Sequence, residues 1–231
     1  MNTNALLEQL LKSGQNLLKQ RGAGQGTGLG GLGSLGDLLG GAKSGGLGGM
    51  LSGMGGKAAA AGAISVLLGN KKMGNLAKYG GLAALGMMAY KAYNNYQAQQ
   101  GAAQVTPQTI DRLAPAEQEV HSRGILAALI AAAKADGHVD DKERAMIEQE
   151  VRKANDDPEL VSWIQTQLNK PLDAAEVARQ ATTPEMAAEM YLASLLLIDR
   201  EHFLEKAYLD ELAKELGLAP ALVQELESQA R

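Results

Sequence analysis

Acidic residues with the spacing of a calcium-binding loop stand at residues 134–143, KADGHVDDKE. The EF-hand loop follows the pattern D-x-[DN]-x-[DN]-G-x5-E. Asp136, Asp140 and Glu143 match its second half, with a glycine directly after Asp136. The first half fails, because an alanine and a lysine stand where two further ligands belong. Calcium takes about six to eight oxygen ligands, so this loop cannot complete a calcium site by itself.

The same residues also fit an ordinary boundary between two helices. Asp140 and Glu143 form a D-x-x-E capping-box pattern at the start of DKERAMIEQEVRKAN. Gly137 fits the left-handed residue that often ends a helix. The pattern therefore leaves two interpretations open, half of a cation site and a helix cap.

A second acidic stretch, LLLIDREHFLEKAYLDELAKELG at 195–217, repeats this arrangement. Aligning Asp136 with Asp199 places Glu143 within one residue of Glu205, and each acid precedes a helical pattern. The region therefore reads as a diverged duplication of a helix–acidic loop–helix unit. Two such loops side by side could hold one hard divalent cation, which favours Ca²⁺ or Mg²⁺ over Zn²⁺. The predicted ligands are Asp136, Asp140, Glu143, Asp199 and Glu205.

Residues typical of an enzyme active site are scarce. The chain has three histidines without the spacing of metal ligands, no HExxH and no nucleophile motif. At His138 and His202 we expect surface or cap residues rather than ligands. A metal-dependent hydrolase, the enzyme alternative, would also need a base or nucleophile in a pocket. The sequence therefore predicts a protein that is not an enzyme and has no catalytic residues.

Charge divides the chain into two unlike parts. Residues 1–100 hold nine Lys or Arg and two acids, a net +7, whereas residues 101–231 hold 13 basic and 24 acidic residues, a net −11. The basic part suits an anionic surface, and the acidic part would repel phosphate, which argues against nucleic acid. Only 3% of the chain is aromatic, which also disfavours base stacking. Because there is no cysteine, disulfides and thiolate ligands are excluded.

The N-terminal region falls into two segments. Residues 1–21 place leucines at helical spacing opposite a polar face, which predicts an amphipathic helix docked on protein, on lipid or on a partner. Residues 22–56 contain 17 glycines in 35 positions, so we expect no compact fold there. This composition also allows an alternative function, a self-assembling structural membrane protein and homo-oligomer.

Residues 57–96 form an Ala- and Gly-rich apolar segment without an acid, which we predict to be membrane-associated. A spanning helix needs about 20 apolar residues, which a helix over roughly 74–96 could supply if Lys78 and Lys91 reach the interfaces. A re-entrant helix pair and a soluble helical hairpin are the other interpretations. Residues 97–115 are polar, contain two prolines and are predicted to be a linker.

Residues 116–231 have the pattern of an all-α bundle without strand-like alternation. Asp157 and Thr183 each precede a proline and predict capped helix starts. Asp173 with Glu176 predicts a third start through a capping-box pattern. Gly217 predicts a helix end. The run MYLASLLLID at 190–199 is apolar on nearly all sides, which predicts a central helix. The expected helices are 116–135, 141–154, 158–168, 173–181, 184–198, 202–216 and 220–229.

These motifs carry a resemblance to a known family. AAAKADGHVDDKERAMI followed by LLLIDREHFLEKAYLDELAKELGL resembles the TerB-like family, named for tellurite resistance, over roughly 117–229. The full layout is similar to its YebE-type branch of bacterial inner-membrane proteins of unknown function. The resemblance implies an all-helical domain of two related halves with acidic residues proposed to bind a divalent metal. An arginine follows Asp199 where the pattern has glycine.

The resemblance also implies a cellular setting. We expect the chain at the bacterial inner (cytoplasmic) membrane, with the TerB-like domain on the cytoplasmic side. The expected partners are the lipid bilayer, a protein not identified by the sequence, and further copies of the chain through its N-terminal region. The predicted function is a membrane-attached interaction or scaffold protein connected with envelope stress.

Overall fold

The computed structural model describes residues 2–8, 81–101, 105–135, 157–198 and 201–230. These residues are helical or connect helices, and no strand occurs among them, which confirms the all-α bundle. A short helical segment occupies residues 3–8. The other described helices are α1 (Leu82–Gln100), α2 (Pro115–Ala133), α3 (Pro158–Asn169), α4 (Ala174–Ala178), α5 (Pro184–Leu197), α6 (Phe203–Glu215) and α7 (Pro220–Gln229). The predicted glycine-rich region at 22–56 lies outside the described residues.

The predicted helix boundaries in 116–231 are confirmed to within a few residues. Helices α3, α5 and α7 begin at the prolines where the sequence places them. The largest difference is at α4, which ends at Ala178 rather than at residue 181. The predicted helix at 141–154 lies outside the described residues.

Side-chain caps fix the starts of three helices. The Asp157 carboxylate accepts hydrogen bonds from two backbone N–H groups of α3, and Asp173 does the same for α4. The Thr183 hydroxyl accepts one from Met186 N–H in α5. At the other end of a helix, Gly217 has φ 65°, as a C′ glycine after α6 should. All four predicted caps are therefore confirmed.

Helix α5 is the centre of the bundle. Every residue from Met186 to Leu197 is buried, because the helix is surrounded by α1, α2, α6 and α7. Its most extensive contact is with α2, and Gly124 of α2 permits the two helices to approach closely. A Cβ at Gly124 would overlap Met186 Cε and lie 3.0 Å from Met190 Sδ. The prediction of a central helix here is confirmed.

Helix α1 covers the described part of the segment for which a membrane span was one interpretation. It packs against α5 and α7, and its buried residues are apolar or small: Leu82, Leu85, Gly86, Ala89 and Ala92. Its inner face therefore belongs to the protein core. Among the helices that the structure describes, none combines the length and apolar character needed to cross a bilayer. Residues 57–80 lie outside the described residues.

The segment at residues 3–8 is docked on α2. Leu6 and Leu7 are buried with the core. The Glu119 carboxylate accepts hydrogen bonds from Thr3 N–H at 2.7 Å and Asn4 N–H at 3.1 Å. An acidic side chain from α2 thus caps a helix start more than a hundred residues earlier in the chain. Of the interpretations for the amphipathic helix, docking on protein holds for this described part.

Candidate functional site: the acidic helix start and a buried Glu–His pair

Of the five predicted cation ligands, the structure describes only Glu205. Glu205 lies in the first turn of α6, 1% exposed, and takes part in a polar contact. The other four, Asp136, Asp140, Glu143 and Asp199, lie outside the described residues. Within the described ranges no three His, Cys, Asp or Glu side chains lie close enough to hold a metal. His202 is exposed at the N-cap position of α6 and makes no capping hydrogen bond, so it is a surface residue as predicted.

Burial of Glu205 fits a carboxylate with a structural or ligand role. An acid in the first turn of a helix is stabilised by the positive end of the helix dipole. A buried carboxylate otherwise loses its hydration and must be compensated by partners. All five predicted ligands offer carboxylate oxygens, which suit Ca²⁺ or Mg²⁺. The chemistry at Glu205 therefore fits the cation that the sequence predicts.

Two large apolar side chains lie exposed directly before Glu205. Phe203, the single phenylalanine of the chain, is 82% exposed, and Leu204 is 57% exposed. Both belong to the first turn of α6. Exposing an aromatic ring to water forgoes the free energy that burial would gain, about 1.5–3 kcal/mol for a side chain of this size. We call Phe203 and Leu204 the α6 apolar tip.

A second polar feature of the molecule is a buried acid–base pair in the centre of the bundle. Glu189 of α5 is 0% exposed and His121 of α2 is 4% exposed. His121 Nδ1 lies 2.6 Å from Glu189 Oε2, so one proton joins the two side chains. The other carboxylate oxygen, Oε1, accepts a 2.6 Å hydrogen bond from Ile110 N–H. Three separate stretches of the chain therefore meet at one carboxylate.

Burial is the dominant influence on the Glu189 carboxyl. Loss of hydration raises its pKa, and the hydrogen bonds from His121 and from Ile110 N–H oppose that rise without cancelling it. The negative charge of Asp111 raises it further. Because the pair is enclosed, it is out of reach of a substrate, and its arrangement suits a structural clamp.

The clamp holds the connection between α1 and α2 against the bundle. Thr109 and Ile110 are buried in it, although residues 97–115 were predicted as a linker. The Thr109 hydroxyl donates to Asp111 Oδ1 at 2.6 Å, and the Arg112 guanidinium lies 3.9 Å from the Tyr90 ring centroid on α1. The end of this polar stretch, residues 105–114, is thus part of the domain that it connects.

Sequence reasoning missed the Glu189–His121 pair. The sequence did contain one signal, because Glu189 is the only charged residue in the buried part of α5, from Met186 to Leu197. A charge inside an otherwise apolar helix implies a paired, buried group. The identity of the partner was not readable, since 68 residues separate the two side chains.

Comparisons with known proteins place the chain in a family. The family model described as "Protein of unknown function (DUF533)" matches residues 53–230, so the match includes α1 as well as the helices after residue 116. An "Uncharacterized protein in ampR 5'region" from Yersinia enterocolitica is 34% identical over 125 residues, covering 54% of this chain and 88% of that protein. No solved structure matches. Since the family model covers well over half of its length, the chain belongs to the DUF533 family of proteins of unknown function.

Proposed function

We propose that this DUF533 protein is a membrane-attached interaction or scaffold protein rather than an enzyme, as the TerB-like resemblance implies. Its setting is the bacterial inner membrane, with the helical domain on the cytoplasmic side and a role in envelope stress. The basic residues 1–100 are the part suited to an anionic lipid surface, and the acidic residues 101–231 are the part suited to a protein partner.

The observation that carries the proposal is the α6 apolar tip. Single exposed apolar residues are common, but an 82% exposed phenylalanine beside a 57% exposed leucine offers a compact anchor. Buried aromatic anchors supply most of the binding energy in protein interfaces. We therefore assign partner contact to Phe203 and Leu204.

The predicted cation would act next to this tip. Glu205 directly follows Leu204, so a divalent ion held by Glu205 and the acidic loop residues would fix the first turn of α6. Its chemistry would be electrostatic, because Ca²⁺ and Mg²⁺ neutralise and gather carboxylates. Cation binding and partner contact would then be coupled through three consecutive residues.

Partner contact is tested by site-specific photo-crosslinking in bacterial cells. A photoreactive phenylalanine replaces Phe203 in the full chain, and the matched control places it at Leu172, which is 40% exposed and lies outside α6. We expect a discrete crosslinked product from position 203 and none from position 172. Equal products, or none from either position, would contradict partner contact at the α6 apolar tip.

Membrane attachment is tested separately by flotation of the full chain with vesicles. Vesicles of anionic lipid should carry the protein to the top of a density gradient, and vesicles of neutral lipid should carry less, because residues 1–100 have a net charge of +7. A chain that stays at the bottom with both vesicles would remove the membrane part of the proposal. It would leave the crosslinking result unaffected.

Cation binding is tested by the thermal melting shift of the full chain on adding Ca²⁺, Mg²⁺ or Zn²⁺. A ligand that binds the native state raises the melting temperature. We expect a shift with Ca²⁺ or Mg²⁺ that Glu205→Gln reduces and that Glu211→Gln, an exposed position on the same helix, retains. Each variant is compared with itself without metal, so a change in basal stability does not affect the result. No shift in the unmodified chain would reject the cation.

A further inference from the structure

A cleft of about 370 Å³ lies at one end of the bundle, away from the α6 apolar tip. Its described walls come from α1, from the turn between α4 and α5, and from the turn between α6 and α7. The cleft touches the C-terminal end of α6, whereas Phe203 begins that helix, about 18 Å away at 1.5 Å per residue. Its volume falls in the range of about 300–1,000 Å³ that is usual for ligand sites.

Two tyrosine rings form one wall of the cleft. Tyr93 and Tyr96 stand one helical turn apart on α1, with ring centroids 6.2 Å apart and planes at 82°. Neither ring is fully buried, and both are packed against the apolar core on one side. In this edge-to-face pair the edge of one ring meets the face of the other. A ring face that is open to the cleft attracts a cation placed within about 6 Å of the ring centroid.

Two acidic residues lie near these rings. Glu215 lines the cleft, and Glu185 lies close enough to Tyr93 to contribute, after burial, to the raised pKa of its hydroxyl. Neither Lys nor Arg is among the described lining residues. At the rim, Lys214 lies 3.0 Å from Glu211 but 4.0 Å from Glu215, and Glu185 forms no ion pair among the described residues. Lys214 therefore compensates Glu215 only through the longer contact, and Glu215 is the one charged residue among the described lining residues.

Helix ends of both signs reach the cleft, so the side chains rather than the helix dipoles decide the charge of a bound group. Helix α6 ends there, and its last carbonyls carry the negative end of the helix dipole. The starts of α5 and α7 also reach the cleft, but each has a proline at its first position, Pro184 and Pro220, which removes one N–H donor. The Thr183 hydroxyl uses a further donor of α5 as its cap.

We propose that this cleft binds the ammonium or guanidinium group of a lysine or arginine side chain from a partner polypeptide. The rings of Tyr93 and Tyr96 contact the charged group and its aliphatic stem, and Glu215 with Glu185 supplies the opposite charge. The site is separate from the α6 apolar tip, so it goes beyond the proposed function and does not depend on it. It identifies the partner by chemistry, as a polypeptide with an exposed basic side chain.

The test is a titration of the full ¹⁵N-labelled chain followed by the amide signal of Gly217 and its neighbours at the cleft. The probes are N-acetyl-lysine methylamide and its arginine counterpart. The matched neutral probe is N-acetyl-norleucine methylamide, which keeps the apolar stem without the charge. We expect saturable shifts at millimolar lysine or arginine probe and none with norleucine. Equal shifts with norleucine, or no shifts at the cleft with any probe, would overturn the proposal.

Variants separate the rings from the charge. Tyr96→Leu removes a π-face and Glu215→Gln removes a charge, and each should weaken binding of the lysine probe by about threefold or more. Asp210→Asn, on the exposed surface of α6 and paired with Lys206, should leave the affinity unchanged. Butylammonium tests the source of the cation, since binding as tight as that of the lysine probe would assign the site to free amines and contradict a polypeptide ligand. Loss of affinity in Asp210→Asn equal to that in Glu215→Gln would reject the cleft as the site.

Discussion

Glu189 Oε2 and His121 Nδ1 are 2.6 Å apart in the centre of the bundle, and neither side chain is open to solvent. The pair joins α5 to α2, and through Ile110 N–H it also holds the connection that follows α1. A single carboxylate therefore joins three stretches of the chain. Its energetics are the most direct way to test the fold.

Removing one member of the pair should destabilise the protein strongly. Glu189→Leu leaves His121 and Ile110 N–H without their buried partner, and breaking a buried pair in this way costs about 3–5 kcal/mol. Urea unfolding followed by circular dichroism measures the loss. The double variant Glu189→Leu with His121→Leu should lose less than the sum of the two single losses, because neither side chain of the pair then remains buried without the other. Strict additivity of the two losses would show that the side chains act independently.

The pair should also make stability depend on pH in a definite direction. The fold raises the pKa of Glu189, so the protonated carboxyl is the form that the folded state favours. A raised pKa stabilises the fold below the unfolded pKa, and that contribution is lost as pH rises through the folded value. Glu189→Gln imitates the protonated form. Relative to the wild type, this variant should therefore gain free energy of unfolding as pH rises above about 4.3, the ordinary glutamate pKa.

The pH comparison is made by urea unfolding of both proteins at steps between acid and neutral pH. His121 and Asp111, the ionisable groups that act on Glu189, are unchanged in the variant. If the wild type instead gains on the variant as pH rises, attraction between charged His121 and charged Glu189 outweighs burial. That result would reverse the assigned direction.

Glu119 should control the docking of residues 2–8. Its carboxylate accepts from Thr3 N–H and Asn4 N–H, and hydrogen bonds to a charged group contribute about 1.5–3 kcal/mol each. Glu119→Ala should therefore speed amide hydrogen exchange at Leu6 and Leu7 by about tenfold or more. Glu117→Ala, an exposed acid in the same turn of α2, should leave that exchange unchanged. Unchanged exchange in both variants would show that the buried leucines alone hold the segment.

The Thr183 cap should contribute measurably to stability. Its hydroxyl accepts from Met186 N–H at 3.1 Å, and loss of such a cap costs about 1 kcal/mol. Thr183→Ala should lower the free energy of unfolding by that amount, and Thr183→Ser should retain most of it. Thr166→Ala is the matched control, because its exposed hydroxyl donates within α3 rather than capping a helix. A smaller loss at Thr183 than at Thr166 would contradict the cap.

A fragment that contains the complete helical domain should include α1, because α1 packs against the core. Leu82 and Leu85 are core residues, so a fragment beginning after α1 would expose the faces of α5 and α7 that they cover. We expect residues 81–231 to unfold cooperatively in a thermal scan and residues 110–231 to unfold at a lower temperature. Light scattering of the 81–231 fragment and of the full chain also tests self-association through the N-terminal region. The fragment lacks the glycine-rich residues 22–56, so a smaller assembly of the fragment would assign self-association to that region. Equal melting temperatures of the two fragments would show that α1 is dispensable.

Local chemistry let the sequence determine the helices of 116–231 where they are described. A capping side chain, a proline at the first position and a glycine at the end act within one turn, so Asp157, Thr183 and Gly217 marked boundaries that the structure confirms. The apolar run beginning at Met190 likewise identified the central helix, because a helix that is apolar on every side has to be surrounded. The predicted cation ligands rest on the sequence and the resemblance, with Glu205 alone described.

Only the tertiary structure decided which distant residues meet. Glu189 and His121 are 68 positions apart, and their pairing follows from how α5 packs on α2 rather than from any local pattern. An apolar helix such as α1 looks alike in sequence whether lipid or protein covers it, and the buried faces of α5 and α7 decide that protein covers its inner side. The physical reason is that local signals fix backbone conformation within a turn, whereas burial is a property of the assembled core.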